Sequence, residues 1–181
     1  MTESRPPRHL RSVPTGARAA FAGPTAPMGV PTTIRAARTD DADTVADVYL
    51  ASRRHAGPLI PRGRHTDDEV RTWFATVVLL AHETFVAECK GQVVGVLVLR
   101  GESVDQLYVR PEFQRRGIGS RLLAHARQRR RLLRLYTFES NEPARAFYEK
   151  QGFRAIAFGD GTTNDEGAPD VLYEWTARPP R

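Results

Sequence analysis

The chain has 181 residues, 40% of them hydrophobic, which suffices for one well-cored domain, and no apolar run approaches the ~20 residues that span a bilayer. Its net charge is +6, and no apolar segment of secretory type follows the first arginines, so a cytoplasmic protein without a membrane role is expected. A single cysteine, Cys89, excludes an internal disulfide and a Cys-based metal cluster, and the scarcity of lysine (Lys90 and Lys150) beside abundant Arg, Ala and Pro points to a GC-rich, bacterial coding genome.

Residues 1–31 are rich in Pro, Gly, Thr, Ala and Arg and show no helical or strand period, so they read as a disordered tail. Met28, just before the first periodic segment, is an alternative start. Residues 32–178 read as one domain. It opens with a short strand over 33–37. Asp40 or Asp41 then caps a helix through Val45, Val48 and Tyr49 to about His55. Gly57-Pro58 and Pro61-Arg62-Gly63 mark a loop. Thr66-Asp67-Asp68-Glu69 has capping-box spacing and starts a helix through Val70, Trp73, Phe74, Val77 and Val78. Strands over 84–90, 93–99 and 103–109 follow, with tight turns at Gly91-Gln92 and Gly101-Glu102. Cys89 is expected as a small core or edge residue, since no thiol-activating neighbour is visible. A helix over 117–131, a strand over 133–138 and a helix over 142–151 come next, the last closed by Gly152 as a left-handed C′ residue. Two final strands, 153–158 and 171–176, flank a polar loop. This order predicts an α/β protein with a central mixed sheet and helices on both faces.

The most informative stretch is Gln114-Arg115-Arg116-Gly117-Ile118-Gly119-Ser120, lying between the strand ending at Val109 and a helix. Strand, Gly-bearing basic loop and helix start suit a diphosphate. The glycines let backbone N–H groups converge, the helix start adds free donors and partial positive charge, and Arg115 and Arg116 add full charges. The run lacks both the P-loop signature and the three-glycine spacing of a dinucleotide fold. A second segment runs from Leu135 through Asn141, Arg145 and Tyr148 to Gly152-Phe153. Together the two resemble the Gcn5-related N-acetyltransferase (GNAT) family, with its Gln/Arg-x-x-Gly-x-Gly/Ala loop and its Tyr-x-x-x-Gly-Phe ending.

The resemblance implies one N-acetyltransferase domain that takes acetyl-CoA as acyl donor and passes its acetyl group to a primary amine of a small molecule or peptide. No metal is implied. Protein N-terminal acetylation and a non-catalytic acyl-CoA-binding module are the alternatives. The strands near 103–109 and 133–138 are then expected to run parallel and splay apart around the donor. Residues 114–120 would hold its pyrophosphate, and the backbone at Leu107, Tyr108 and Val109 would serve the thioester carbonyl. Asn141 and Arg145 follow as further cofactor contacts, although Asn141 reads equally well as a helix N-cap. Tyr148 would protonate the departing sulfur. Asp105, on the strand leading to the loop, is the candidate general base, with a solvated Asp105 or a base acting through water as equal alternatives; strand parity puts it on the face of Leu107 and Val109 unless a bulge intervenes.

Acids near the presumed acceptor side, Asp67, Asp68 and Glu69 and then Asp160, Asp165, Glu166 and Asp170, would suit a cationic acceptor, but the first three also fit simple helix capping. Arg127, Arg129, Arg130, Arg131 and Arg134 have no interleaved aromatics, so no nucleic-acid partner is expected. A homodimer is compatible with this reading, which leaves the assembly state open.

Overall fold

The computed structural model describes residues 31–177. The expected tail, apart from Pro31, and the alternative start at Met28 lie outside the described residues. Strand β1 (Thr33–Ala36) leads through a 3-10 turn to helix α1 (Ala42–Ala56), and helix α2 begins at Asp67 and runs regularly to Trp73. Strands β2 (Glu83–Cys89), β3 (Gln92–Arg100) and β4 (Ser103–Val109) form a meander. Helix α3 (Ile118–Arg127), strand β5 (Leu132–Phe138), helix α4 (Glu142–Lys150) and strands β6 (Arg154–Gly159) and β7 (Asp170–Thr176) complete the order. The seven strands among the described residues join one sheet in the order β1-β2-β3-β4-β5-β7-β6. No helix among the described residues is long and apolar enough to cross a membrane.

Local chemistry accounts for most boundaries. Thr66 Oγ1 accepts from the Glu69 backbone N–H while the Glu69 carboxylate accepts from Thr66 N–H, so the capping box forms as its spacing predicts. Gly152 ends α4 in the left-handed region, at φ 82°. Asp41 behaves differently from the expected cap of α1. Its carboxylate accepts from Arg35 through both oxygens and from the Arg38 backbone N–H, and α1 starts without a side-chain cap. Helix α2 also departs from the plain α pattern. A π turn over Phe74–Val78 follows it, and a short α segment ends at Ala81. Val70, Phe74 and Val78 are all buried. At spacings of four they would drift off one face of a regular helix, and one wider turn brings them back to the core.

The sheet separates two faces. Tyr108 meets Tyr49 of α1 edge-on at 4.9 Å on one side, and Phe74 of the π turn packs on Tyr49 at 5.4 Å. On the other side Gly95, paired with Val109, lies so close to Ile118 and Leu122 of α3 that a Cβ there would meet both at 3.2 Å. Ile118 and Leu122 are fully buried there, worth roughly 2 kcal/mol each. Cys89 is buried in β2 as a free thiol.

The one parallel junction positions everything that follows. Strands β4 and β5 share a single paired position, Ser103 with Arg134, and then diverge, while every other neighbouring pair in the sheet is antiparallel. The backbone edges of β4 and β5 beyond that pair face a cleft instead of each other.

Candidate active site

At the open end of this cleft, the loop after β4 curls through two left-handed residues, Arg115 at φ 59° and Gly117 at φ 81°. Gly117 is the N-cap of α3 and supplies no side-chain cap, so the first-turn N–H groups of the helix stay available. A Cβ on Gly117 would meet nothing within 4 Å, so the space beside it is open. Alternating left-handed residues followed by a helix start build an anion cradle from backbone alone. The loop is fixed from behind: Gln114 Nε2 donates to Val109 O at 3.0 Å, and Ser52 Oγ of α1 donates to the same oxygen at 2.7 Å. Gln114 thus braces the loop against the strand end.

A groove of about 580 Å³ runs from this cradle between α3 and α4. Gln114, Arg115 and Gly117 line one side and Phe147, Lys150 and Gln151 the other. Its floor is tight. A Cβ on Gly119 would meet Phe147 Cζ at 3.3 Å, and Gln151 Nε2 donates to Ser120 Oγ at 3.0 Å. Arg115 and Lys150 bring positive charge to a groove whose cradle already favours an anion. Arg116 lies over the Phe113 ring at 5.5 Å. Arg145 is turned elsewhere: its guanidinium donates to the Glu139 carbonyl and lies 3.5 Å from the Tyr173 hydroxyl.

Strand geometry divides the expected backbone donors. Arg110 N–H donates across to Val94 O, on the β3 side. Successive residues of a strand alternate, so the N–H of Tyr108 also points to β3 and those of Leu107 and Val109 point to the open edge. The Val109 carbonyl confirms the direction, since its partners Ser52 and Gln114 are not in β3. Leu107 and Val109 therefore present donors to the cleft, and Tyr108 presents its ring to α1.

Tyr148 is fully buried on α4, packed edge-on against Phe147 at 5.3 Å and Phe153 at 5.7 Å. It comes close enough to Tyr108 to act on its ionisation: burial raises the Tyr108 pKa well above the ordinary value, with Tyr49 and Tyr148 adding to it. Asn141 caps α4, its Oδ1 accepting from Ala144 N–H, and its buried Nδ2 has no hydrogen-bond partner among the described residues. Gln106 of β4 and Thr137 of β5, each three residues beyond the Ser103–Arg134 pair, are also buried with side-chain polar atoms lacking such partners. Buried polar atoms without partners need an explanation, and their gathering around the splay suits a polar ligand entering it. The cradle, the basic groove and these atoms fit the pyrophosphate and amide-bearing arm of acetyl-CoA.

Asp105 stands apart from this group. A β-bulge between Val98 and Leu99 leaves it as the extra residue of β4, so the simple parity that joined it to Leu107 does not hold. It is buried and ion-paired with Arg100 at 3.2 Å, near the closed end of the splay.

On the α1 side, a cavity of about 820 Å³ is lined by Tyr49, Arg53, Ile60, Arg62, His65 and Asp67, among others. The acids expected to attract a cation are mostly engaged: Glu69 in its capping box, Asp67 with Arg54, Asp160 with Thr162 and Asp170 with Asn164. Arg53 and Glu166 are different. Arg53 of α1 is largely buried and bridges Pro61 O and the Glu166 carboxylate, which arrives from the β6–β7 loop. The sequence marked Glu166 only as one of several acids on the acceptor side, and Arg53 did not stand out at all. The available signal was Arg53 itself, an arginine four residues after Tyr49 on the buried stripe of α1. Four of the five arginines at and beyond the end of α3 are engaged within the chain: Arg127 lies over Trp175, Arg129 over Phe85, Arg130 bonds Gly101 O, and Arg134 pairs with Glu174.

The comparisons agree with this geometry. The family described as "Acetyltransferase (GNAT) domain" matches residues 81–155, from β2 to the start of β6. Peptidyl-lysine N-acetyltransferase YiaC of Escherichia coli is 29% identical over 146 residues, covering 78% of this chain and 95% of that protein. Peptidyl-lysine N-acetyltransferase YjaB of Escherichia coli is 34% identical over 83 residues, or 46% of this chain and 55% of that one. The solution structure of apo YjaB superposes with a TM-score of 0.67 at 22% identity, covering 80% of this chain and 97% of that chain. PaiA N-acetyltransferase of Thermoplasma acidophilum, solved with coenzyme A, gives 0.62 at 19% identity, with 81% and 99% covered.

Proposed function

The chain belongs to the Gcn5-related N-acetyltransferase family and is an acyltransferase of that kind, and from this premise we propose that it carries the acetyl group of acetyl-CoA directly to the side-chain amine of a peptidyl lysine. The observation that carries this reading is the convergence at one cleft of the anion cradle at 114–120, the open N–H groups of Leu107 and Val109, and Tyr148. The relatives named as peptidyl-lysine N-acetyltransferases support the acceptor. So does the volume of the α1-side cavity, which has room for an entering side chain.

Acetyl-CoA, when bound, supplies an activated acyl thioester. The chain's own residues do the rest. The cradle and Arg115 hold the pyrophosphate, and Lys150 adds charge along the groove. Leu107 and Val109 N–H groups face the thioester oxygen, where fixed donors stabilise developing negative charge without reorganisation. Asn141 offers its Nδ2 to the amide-bearing arm. Tyr148 gives its phenolic proton to the leaving sulfur. A phenol of pKa about 10 does so to a thiolate whose acid lies near 8.5 only when water is excluded, and Tyr148 is fully buried.

The test is thiol release from acetyl-CoA against a panel of primary amines: lysine peptides with a blocked N-terminus, peptides with a free α-amine, and small polyamines. The reading expects the blocked lysine peptides to be turned over best. Preference for free α-amines would favour N-terminal acetylation, and coenzyme binding with no turnover of any amine would favour a non-catalytic module.

A further inference from the structure

Transfer to an amine needs a group that takes the proton the amine gives up. Two buried carboxylates are candidates, and they lie toward opposite ends of β4. Asp105 sits on the bulge beside the Ser103–Arg134 pair, tied to Arg100. Four residues of extended chain, roughly 13 Å, separate it from Val109 at the open end. Glu166 is brought to that open end. Its partner Arg53 follows Ser52, whose hydroxyl is bonded to the Val109 carbonyl. Arg53 lies over the Tyr49 ring at 5.6 Å, and Tyr49 packs on Tyr108, the neighbour of Tyr148.

The Glu166 side chain has no exposed surface. Its Oε1 lies 3.2 Å from Arg53 Nη2, and its Oε2 has no hydrogen-bond partner among the described residues. A fully buried carboxylate oxygen is costly to leave unbonded. This one lies directly behind Arg53, which lines the cavity on the α1 side.

The geometry points to Glu166 as the carboxylate that accepts the proton of the acceptor amine through one water, an assignment that rests on the amine-transfer reading above. The groups facing it are Arg53 and Tyr49 from α1 and Asp165 from its own loop. Burial raises its carboxyl to about 6, Arg53 pulls it down and Asp165 pushes it up. At neutral pH such a group is mainly ionised, and it is a stronger base than an exposed glutamate at about 4.3.

The protons balance. The acceptor ammonium loses one proton to Glu166, which passes it to water. The freed amine forms the C–N bond at the thioester carbon, and the C–S bond breaks. The sulfur takes the phenolic proton of Tyr148, and the second proton of the nitrogen, acidified by the new bond, restores Tyr148.

The experiment measures acetyl transfer by the full chain from acetyl-CoA to a blocked lysine peptide across pH 5–10. Glu166→Gln keeps the shape and the Arg53 contact and removes only basicity. It should lower kcat/KM at pH 7 by about 10²-fold or more, abolish the wild-type acid limb near pH 6, and recover toward high pH as the amine deprotonates unaided. Coenzyme A affinity by calorimetry should not change. Glu166→Asp, which keeps a carboxylate, should retain the limb at a lower rate, and it decides the matter if the glutamine variant does not fold. An unchanged rate and limb in either variant would overturn the assignment, as would loss of the limb in Asp105→Asn instead. A wild-type chain that binds coenzyme A but acetylates no amine would instead overturn the transfer reading itself.

Discussion

Asn141 holds Ala144: its Oδ1 accepts the Ala144 backbone N–H at 3.2 Å, while its amide Nδ2 stays buried with no hydrogen-bond partner among the described residues. One side chain thus serves as helix cap through one atom and keeps a donor in reserve through the other. Substitutions can separate the two. Asn141→Ser preserves a good cap and deletes the amide, so stability should hold within about 0.5 kcal/mol while coenzyme A affinity falls. Asn141→Ala should lose both, with a stability cost of about 1 kcal/mol. Thermal melts paired with calorimetry check this; equal affinity in wild type and the serine variant would leave Asn141 as a cap alone.

Gly117 sits at φ 81° in the anion cradle, with open space where a side chain would go. Gly117→Val should fold, at a cost of about 1–2 kcal/mol for the left-handed backbone. Its side chain would occupy the space expected for the pyrophosphate, so coenzyme A binding should be lost. Calorimetry on the folded variant is the check, and unchanged affinity would remove this loop from the binding site.

Asp41 gives a pH prediction with a definite sign. Its hydrogen bonds with Arg35, together with that from Arg38 N–H, hold its carboxyl below the usual aspartate range. A depressed carboxylate contributes stability that is fully present above its unfolded pKa of about 3.9 and is lost as pH falls through the folded value. Asp41→Asn should therefore cost about 1.5–3 kcal/mol at pH 7 and progressively less below pH 4. Denaturant melts of both proteins at pH 7 and pH 3 measure it. A gap that stays constant would show that the pair does not couple folding to protonation.

Much of this architecture was legible in residue order, for physical reasons. Most left-handed residues are glycines, with Lys90 and Arg115 the exceptions, the α2 cap follows its four-residue spacing, and the turn at Gly101-Glu102 marks the start of the strand that carries the site. The β4–β5 splay came only from the resemblance, since parallel pairing and its loss leave no periodic trace. The bulge at Asp105 was equally silent, because one extra residue leaves no periodic trace in a strand that is buried on both faces. Nor could spacing foretell that Arg145 turns to Tyr173 instead of the groove. Arg53 and Glu166 lie 113 residues apart, and only the folded path of the β6–β7 loop brings that acid under α1.

In the proposed reaction the thioester is broken in the β4–β5 cleft, with Tyr148 protonating the sulfur. Turnover by Tyr148→Phe with a series of acyl donors of graded thiol pKa tests it most directly. The ring packing is preserved and only the hydroxyl goes, so coenzyme A affinity and melting temperature should barely move. The expected loss is about 10²–10⁴-fold with acetyl-CoA, shrinking steadily as the leaving thiol becomes more acidic and needs less protonation. An equal loss for good and poor leaving groups, or full turnover with acetyl-CoA, would contradict it.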